Sequence, residues 1–172
     1  MADYFTTMSA MLYVKDDEQR KWLEKYLPLL DHNEDIGQAA HEKSVILEAL
    51  KREAEELDCY SSWGVIAEAI DQEITGPEWT IDRSTSLHPD QPDELCVWFR
   101  TETESLEAMA DLVRIFLCKF DGKPWTFEWA NTCSKLRTDG FGGGAGFVTK
   151  DKVMFFTTNH WLEDRIKELE DA

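Results

Sequence analysis

Residues 31–42 have the spacing of ligands in a calcium-binding loop. Asp31, Asn33, Asp35 and Glu42 occupy positions one, three, five and twelve of an EF-hand pattern, and helical patterns flank the segment. Position six of such a loop is normally glycine, which permits its sharp turn, but here it is Ile36. The alternative is a solvated loop in which Asp35 caps the next helix. We favour the loop and expect no metal site.

A glycine-rich segment at residues 137–147 could cradle an anion. Gly140, Gly142 and Ala145 satisfy the pattern G-x-G-x-x-A, but a dinucleotide site needs a helix after the glycines, and a strand follows here. A ligand bound at this segment would contact the following set: Arg137, Gly142, Gly143, Gly144 and Trp129. The alternative is that the glycines allow close backbone packing against tryptophans of a neighbouring strand.

Other reactive residues do not form a recognisable catalytic set. His160 and Asp164 have helical i, i+4 spacing, but a metal site needs further ligands, and a histidine near a helix end fits the pattern better. Cys133 as a nucleophile would need a base that the sequence does not identify. Carboxylates are too abundant for any pair to indicate acid–base catalysis. We therefore expect a binding protein without catalytic residues or a cofactor.

Four cysteines stand at positions 59, 96, 118 and 133, and no two form a C-x-x-C pair. Cys96 and Cys118 lie in apolar runs, which predicts small core residues. The first residues lack the features of a secretory signal, and no apolar run is long enough to cross a bilayer. We therefore expect a soluble cytoplasmic protein without disulfides.

Charge is the strongest property of the whole sequence. The 172 residues include 35 acidic and 18 basic ones, for a net charge of −17, and residues 1–79 alone hold 18 acidic and 7 basic residues. Such a surface repels nucleic acids and anionic membranes and attracts basic protein surfaces, including those that normally bind DNA or RNA. The alternative is that acidity only keeps the protein soluble.

The hydrophobic periodicity predicts the elements that carry these residues. Strands are expected at 3–14, 79–84, 95–100, 125–130, 146–149 and 153–157, and helices ending near Leu27 and at 39–57, 61–74, 106–120 and 160–170. The strand at 3–14 is apolar on both faces, so we expect it to be packed on both. The last helix should direct the following residues inward: Trp161, Leu162, Ile166 and Leu169.

This order of elements predicts a single α+β domain over residues 1–172, with a largely antiparallel sheet and helices packed on one face. A helix-rich acidic part covers 15–75 and a sheet-rich part covers 79–172. The β-α-β order within 95–130 would also allow a ferredoxin-like C-terminal half. Acidic side chains crowd the predicted outer side of the helix at 39–57 and continue beyond it: Glu48, Glu53, Glu55, Glu56, Glu68, Asp71 and Glu73. We expect these to bind a partner.

The C-terminal half, with Val97-Trp-Phe, Phe127-Glu-Trp-Ala-Asn-Thr-Cys-Ser-Lys, Phe141-Gly-Gly-Gly-Ala and Thr158-Asn-His-Trp-Leu-Glu, resembles a family of uncharacterised proteins found in phages, plasmids and their bacterial hosts. The resemblance covers roughly the last 80 residues and transfers no functional residue. It implies association with mobile elements and therefore a role in counter-defence or host interaction.

These observations together predict an acidic protein-binding module. By analogy with small acidic phage proteins, it would mimic nucleic acid and inhibit a restriction enzyme, a CRISPR effector or a DNA-processing protein. Its partner would present a basic surface, and direct contact with nucleic acid or membrane is not expected. The alternative is a small-ligand or anion-binding domain, or an enzyme, built around residues 137–147.

Overall fold

The computed structural model describes residues 4–31, 38–59, 64, 66–68, 78–84, 94–101, 106–135 and 141–170. Its strands are β1 (Tyr4–Tyr13), β2 (Glu78–Ser84), β3 (Glu94–Thr101), β4 (Trp125–Cys133), β5 (Gly142–Val148) and β6 (Val153–Thr157). Its helices are α1 (Asp17–Tyr26), a 3₁₀ turn (Leu27–Leu30), α2 (Gln38–Glu56), α3 (Leu106–Phe120) and α4 (Thr158–Glu170). Residues 64 and 66–68 are also helical, and the rest of the helix expected at 61–74 lies outside the described residues.

The six strands form one antiparallel sheet in the order β2-β3-β1-β4-β5-β6. β3 and β4 are joined through α3 and lie on either side of β1, so the β-α-β crossover expected within 95–130 is present. The first four strands have the order 2-3-1-4 with helical segments after β1 and β3, which is the split β-α-β topology of ferredoxin-like folds. That arrangement therefore involves the N-terminal strand and is not confined to the C-terminal half. The α+β prediction is confirmed.

One side of the sheet and the helices enclose the core. Strand alternation directs Leu12, Phe99 and Trp125 toward the helices, where α3 supplies an apolar face and α1 adds Trp22 and Leu23. Successive turns of α3 bury nine side chains, which explains why its period was clear in the sequence. Asp121 follows α3 with a positive φ, and Gly122 N–H bonds Leu117 O at 3.0 Å, so the helix ends at the expected Asp-Gly pair.

The cysteine prediction was wrong. Cys59 and Cys118 form a disulfide across 59 residues of chain, and Cys118 is half-buried rather than a core residue. Cys59 follows the C-terminal turn of α2, and its N–H bonds Ala54 O at 2.9 Å. The bridge therefore ties the end of α2 to α3. The absence of C-x-x-C spacing carried no information about this pair because the fold brings the two residues together. Cys96 is buried and forms no disulfide, as expected, and Cys133 forms none either.

Two further predictions were wrong. The strand expected at 146–149 begins earlier, because residues 142–145 also belong to β5 and the glycine-rich segment is strand from Gly142 onward. Helix α4 directs Trp161, Leu162 and Ile166 outward, because the helix contacts the sheet mainly at β5 and β6 without covering its core. The side chain of Leu169 lies outside the described residues. None of the described helices combines the length and apolar character that crossing a bilayer requires.

Candidate protein-binding surfaces

The outer face of α2 presents three of the predicted partner-binding residues to solvent. Glu48, Glu55 and Glu56 are exposed, while Leu50 and Ala54 on the opposite side are buried in the core. This division follows from the helical repeat, which places residues 50 and 54 on one face. Within the described part of the chain, none of the three glutamates takes part in an ion pair. We call Glu48, Glu55 and Glu56 the acidic face of α2.

Glu53 connects α2 to two neighbouring helices through its side chain. Its carboxylate accepts a hydrogen bond from Tyr26 Oη at 2.7 Å and pairs with Lys119 Nζ at 2.5 Å, so it joins α2 to α1 and α3. Burial opposes its charge, but the hydrogen bonds from Lys119 and Tyr26 outweigh it and lower the pKa of Glu53. Burial, followed by the bond to Glu53, raises the pKa of Tyr26. A role of Glu53 in partner binding stays a prediction.

The remaining predicted partner-binding residues extend beyond α2. Glu68 is exposed in the short helical stretch at 66–68. Asp71 and Glu73 lie outside the described residues. The structure therefore brings three of the seven predicted residues together on one helix face and assigns one of the seven to internal packing.

The calcium candidates are only partly described. Asp31 Oδ1 accepts a hydrogen bond from Trp79 Nε1 at 2.7 Å, and the Asp31 carbonyl accepts one from Lys43 Nζ. Glu42 is an exposed residue of α2, while Asn33 and Asp35 lie outside the described residues. Over the ranges that the structure describes, no cluster of three or more histidine, cysteine, aspartate or glutamate side chains could hold a metal ion. Because half of the loop is not described, the expectation that it holds no calcium stays a prediction.

The glycines of β5 lie beneath aromatic rings of β4. A Cβ on Gly146 would overlap the Phe127 ring, and one on Gly144 would lie 2.5 Å from Trp129 Cζ2. Gly143 has a φ of 153°, and a Cβ there would overlap the Trp129 carbonyl. The close packing that sequence analysis offered as the alternative thus accounts for these three glycines. Arg137, the basic member of the predicted ligand set, lies outside the described residues.

A cleft of about 960 Å³ lies at one end of the sheet, between α1 and the end of α3. Its inner wall includes Leu12, Phe116 and Trp125, and Lys15 and Lys123 lie at its border. The cleft is distant in sequence from the glycine-rich segment. Leu12, Phe116 and Trp125 are nearly fully buried, whereas Tyr13, which also lines the cleft, is exposed.

The side of the sheet opposite the helices carries large apolar residues. Their exposed fractions range from 37% to 53%: Phe5, Met11, Tyr13, Trp98, Phe147, Met154 and Phe156. We call this set the open face of the sheet. The expectation that the first strand is packed on both faces was therefore wrong. In the sequence, both faces of β1 and β3 contain apolar residues. This pattern does not show whether the outer face is covered by a second layer of the protein or exposed to solvent.

Comparison with models of protein families, with curated proteins and with solved structures finds no match to this chain. Its candidate surfaces therefore rest on their own geometry.

Proposed function

We propose that this chain is an acidic, non-enzymatic protein-binding module that presents α2 to a basic surface of its partner. The observation that carries the proposal is the acidic face of α2, where three exposed glutamates have no ion-pair partner among the described residues. Unpaired carboxylates on a rigid helix contribute long-range attraction without first breaking internal salt bridges. The net charge of −17 extends this attraction over the molecule.

Mimicry of nucleic acid is the form of binding that this charge favours. The exposed charged residues from Glu48 to Glu56, where α2 ends, are Glu48, Arg52, Glu55 and Glu56, a net charge of −2. Eight helical steps span about 12 Å, which gives roughly one negative charge per 6 Å. One strand of B-DNA carries one per about 3.4 Å along the axis. The helix thus has roughly half of the linear charge density of a single strand, and a DNA-binding groove is a suitable partner surface.

The class of partner that fits is a DNA-binding defence or processing protein in the bacterial cytoplasm, such as a restriction enzyme or a CRISPR effector. The resemblance of the C-terminal half to proteins of mobile elements supports this class. The carboxylates would occupy the basic groove and exclude the nucleic acid substrate.

The proposal is tested by capturing bacterial DNA-binding proteins on the immobilised full chain, at low and high salt. We expect the captured protein to be displaced by a short DNA duplex, and its affinity to fall roughly tenfold or more between about 50 and 200 mM salt. Glu48→Lys, Glu55→Lys and Glu56→Lys together should abolish the capture, because they replace attraction with repulsion.

The matched control reverses three exposed acids elsewhere: Glu18, Glu163 and Asp164. Both triple variants change the net charge by the same amount, so a loss confined to the α2 variant assigns the contact to that helix. Equal capture by both variants and the wild type would contradict the proposal.

The alternative, a ligand-binding or enzymatic site around residues 137–147, has less support. Ring packing accounts for Gly143, Gly144 and Gly146, and Trp129 packs on Gly144 and Phe155. A thermal-shift screen against nucleotides and divalent metals distinguishes the two. A clear stabilisation by a nucleotide would favour the alternative.

A further inference from the structure

The open face of the sheet has more apolar surface than a solvated sheet face requires. Pairing of β1 with β3 brings Met11 beside Trp98, and pairing of β5 with β6 brings Phe147 beside Met154. Phe156 is paired with Ala145 and extends the set along β6. The seven side chains of the open face have about 200 Å² of surface each, and their exposed fractions run from 37% to 53%. Together they leave on the order of 600 Å² of apolar surface in water. That value is at the upper limit for the largest patch of a typical monomer.

This face carries a small part of the negative charge of the molecule. The strand register places five charged residues on it: Glu78, Asp82, Glu94, Arg100 and Glu128. Glu78 and Arg100 neutralise each other in an ion pair of 2.9 Å. The five residues therefore carry a net charge of −3 in a chain of −17. A basic partner has less to recognise here than on α2, whereas an apolar surface fits this face.

The central side chains of the face are held in place before any partner arrives. Trp98 Nε1 donates a hydrogen bond to Ser9 Oγ at 2.7 Å, and the Arg100 guanidinium lies 5.9 Å from the centre of the Trp98 ring. A side chain that is already ordered loses less conformational entropy when it is buried at an interface. Tryptophan and tyrosine in such positions are the residues that most often dominate interface energetics.

A second copy of this chain meets these requirements. Six strands spaced about 4.8 Å apart give a face roughly 24 Å wide, and two such faces pack about 10 Å apart. The face would supply most of the roughly 800 Å² per partner that a standard interface buries. Its small share of the total charge lets two copies associate while their acidic helices remain on the outer sides.

We propose that the open face of the sheet is the interface of a symmetric homodimer, in which two sheets pack face to face. The inference is independent of the proposed function, because the acidic face of α2 lies on the helix layer and stays accessible in this dimer. The two also differ in salt dependence. Apolar association between two faces of like charge persists or strengthens as salt rises, whereas binding through α2 weakens.

The test is analytical ultracentrifugation of the full chain from about 1 to about 200 µM, the range in which an interface of this size associates. We expect a dimer at the upper concentrations. Met11→Lys combined with Trp98→Lys should raise the dissociation constant at least roughly 100-fold, because burying two unpaired charges is costly. Both substitutions make the monomer less negative, so increased repulsion between whole molecules cannot explain the loss.

The matched control is Val45→Lys combined with Ile166→Lys, which alters exposed apolar residues of α2 and α4 by the same charge. This variant should remain dimeric. A wild-type monomer at every concentration would overturn the proposal and leave the face to a different protein. The proposal would also be overturned if the control variant disrupted the dimer while the Met11 and Trp98 variant left it intact.

Hydroxyl-radical footprinting of the wild type covers the case in which the face variant does not fold. Tyr13 and Trp98 should be labelled at least roughly threefold more slowly in the dimer, because they become buried, while Trp161 on α4 keeps its rate. Equal labelling of Tyr13 and Trp98 at low and high concentration would exclude the open face as the interface.

Discussion

The glycines of β5 are explained by the aromatic residues of β4. Phe127 and Trp129 lie on the helix side of the sheet and extend across β5, where Phe155 of β6 completes the cluster with ring centroids 5.9 Å from both. The space above Gly144 and Gly146 is filled by these rings, which leaves no room for a Cβ. Glycine weakens a strand by its entropy and missing side chain, and aromatic rings from the next strand compensate for that loss.

Gly146→Ala should therefore destabilise the protein. The new methyl group overlaps the Phe127 ring, and overpacking of this kind costs about 1–3 kcal/mol of unfolding free energy. Urea denaturation followed by tryptophan fluorescence measures the change. Gly64→Ala is the matched control, because Gly64 is helical and exposed with no atom within 4 Å of the added Cβ. That substitution should instead stabilise by up to about 1 kcal/mol. Destabilisation by Gly64→Ala alone would contradict this account of the two sites.

At the scale of elements, periodicity predicted most of the fold, and packing partners explain what it missed. Helix α3 and strands β2 and β3 were recognisable because local pattern and burial agree in them. Helix α4 was recognisable as a helix, but its apolar stripe does not identify what covers it. The same limit applies to β1, whose two apolar faces suggested a buried strand although one face is exposed.

The candidate sites were predicted less completely than the fold. The acidic face of α2 could be predicted, because helical spacing separates it from Leu50 and Ala54. The structural position of Glu53 could not, since it depends on Tyr26 and Lys119 from two other helices. The open face could not be recognised either, because exposure depends on which layers the whole chain forms.

The disulfide joins two elements and should contribute to their mutual stability. Closing a loop of about 59 residues reduces the entropy of the unfolded chain and can stabilise the fold by up to about 4 kcal/mol. Cys59→Ala combined with Cys118→Ala should lower the melting temperature, and a reducing agent should lower that of the wild type similarly. Cys96→Ala combined with Cys133→Ser, which removes the free cysteines, is the comparison. If reduction leaves the wild-type melting temperature unchanged, the bridge does not stabilise the fold.

That experiment also bears on location. Disulfides are rare in the cytosol, so the reduced form is the relevant one for a partner in that compartment. Mass spectrometry of alkylated protein from the cells that produce it would identify the state of Cys59 and Cys118.

At the scale of the whole molecule, the charge is unevenly distributed over three surfaces. The acidic face of α2 is strongly negative, the open face of the sheet carries a net charge of −3, and the border of the cleft includes Lys15 and Lys123. A net charge of −17 destabilises the compact state by self-repulsion while it opposes non-specific aggregation.

Raising the salt concentration should therefore stabilise the protein. From about 20 to about 300 mM sodium chloride, screening should raise the melting temperature by roughly 2–4 °C, equivalent to about 1 kcal/mol in a domain of this size. Differential scanning calorimetry measures it. The variant with lysine at positions 48, 55 and 56 has a net charge of −11, because each substitution adds two positive charges to −17, and it should gain less. A fall in the wild-type melting temperature would show that attractive ion pairs dominate instead.

The position of β1 has a consequence for the order in which the protein can assemble. This strand is made before β3 and β4, with which it pairs and whose residues follow some 80 to 130 positions later. During synthesis one edge of β1 has no partner until Thr101 of β3 has been made, and the other edge has none until Cys133 of β4 has been made. Long-range pairing of this kind slows folding and leaves strand edges exposed to other chains. The central strand of the finished sheet is thus the segment of the nascent chain most dependent on protection by chaperones, and the sheet becomes continuous only after translation of most of the chain.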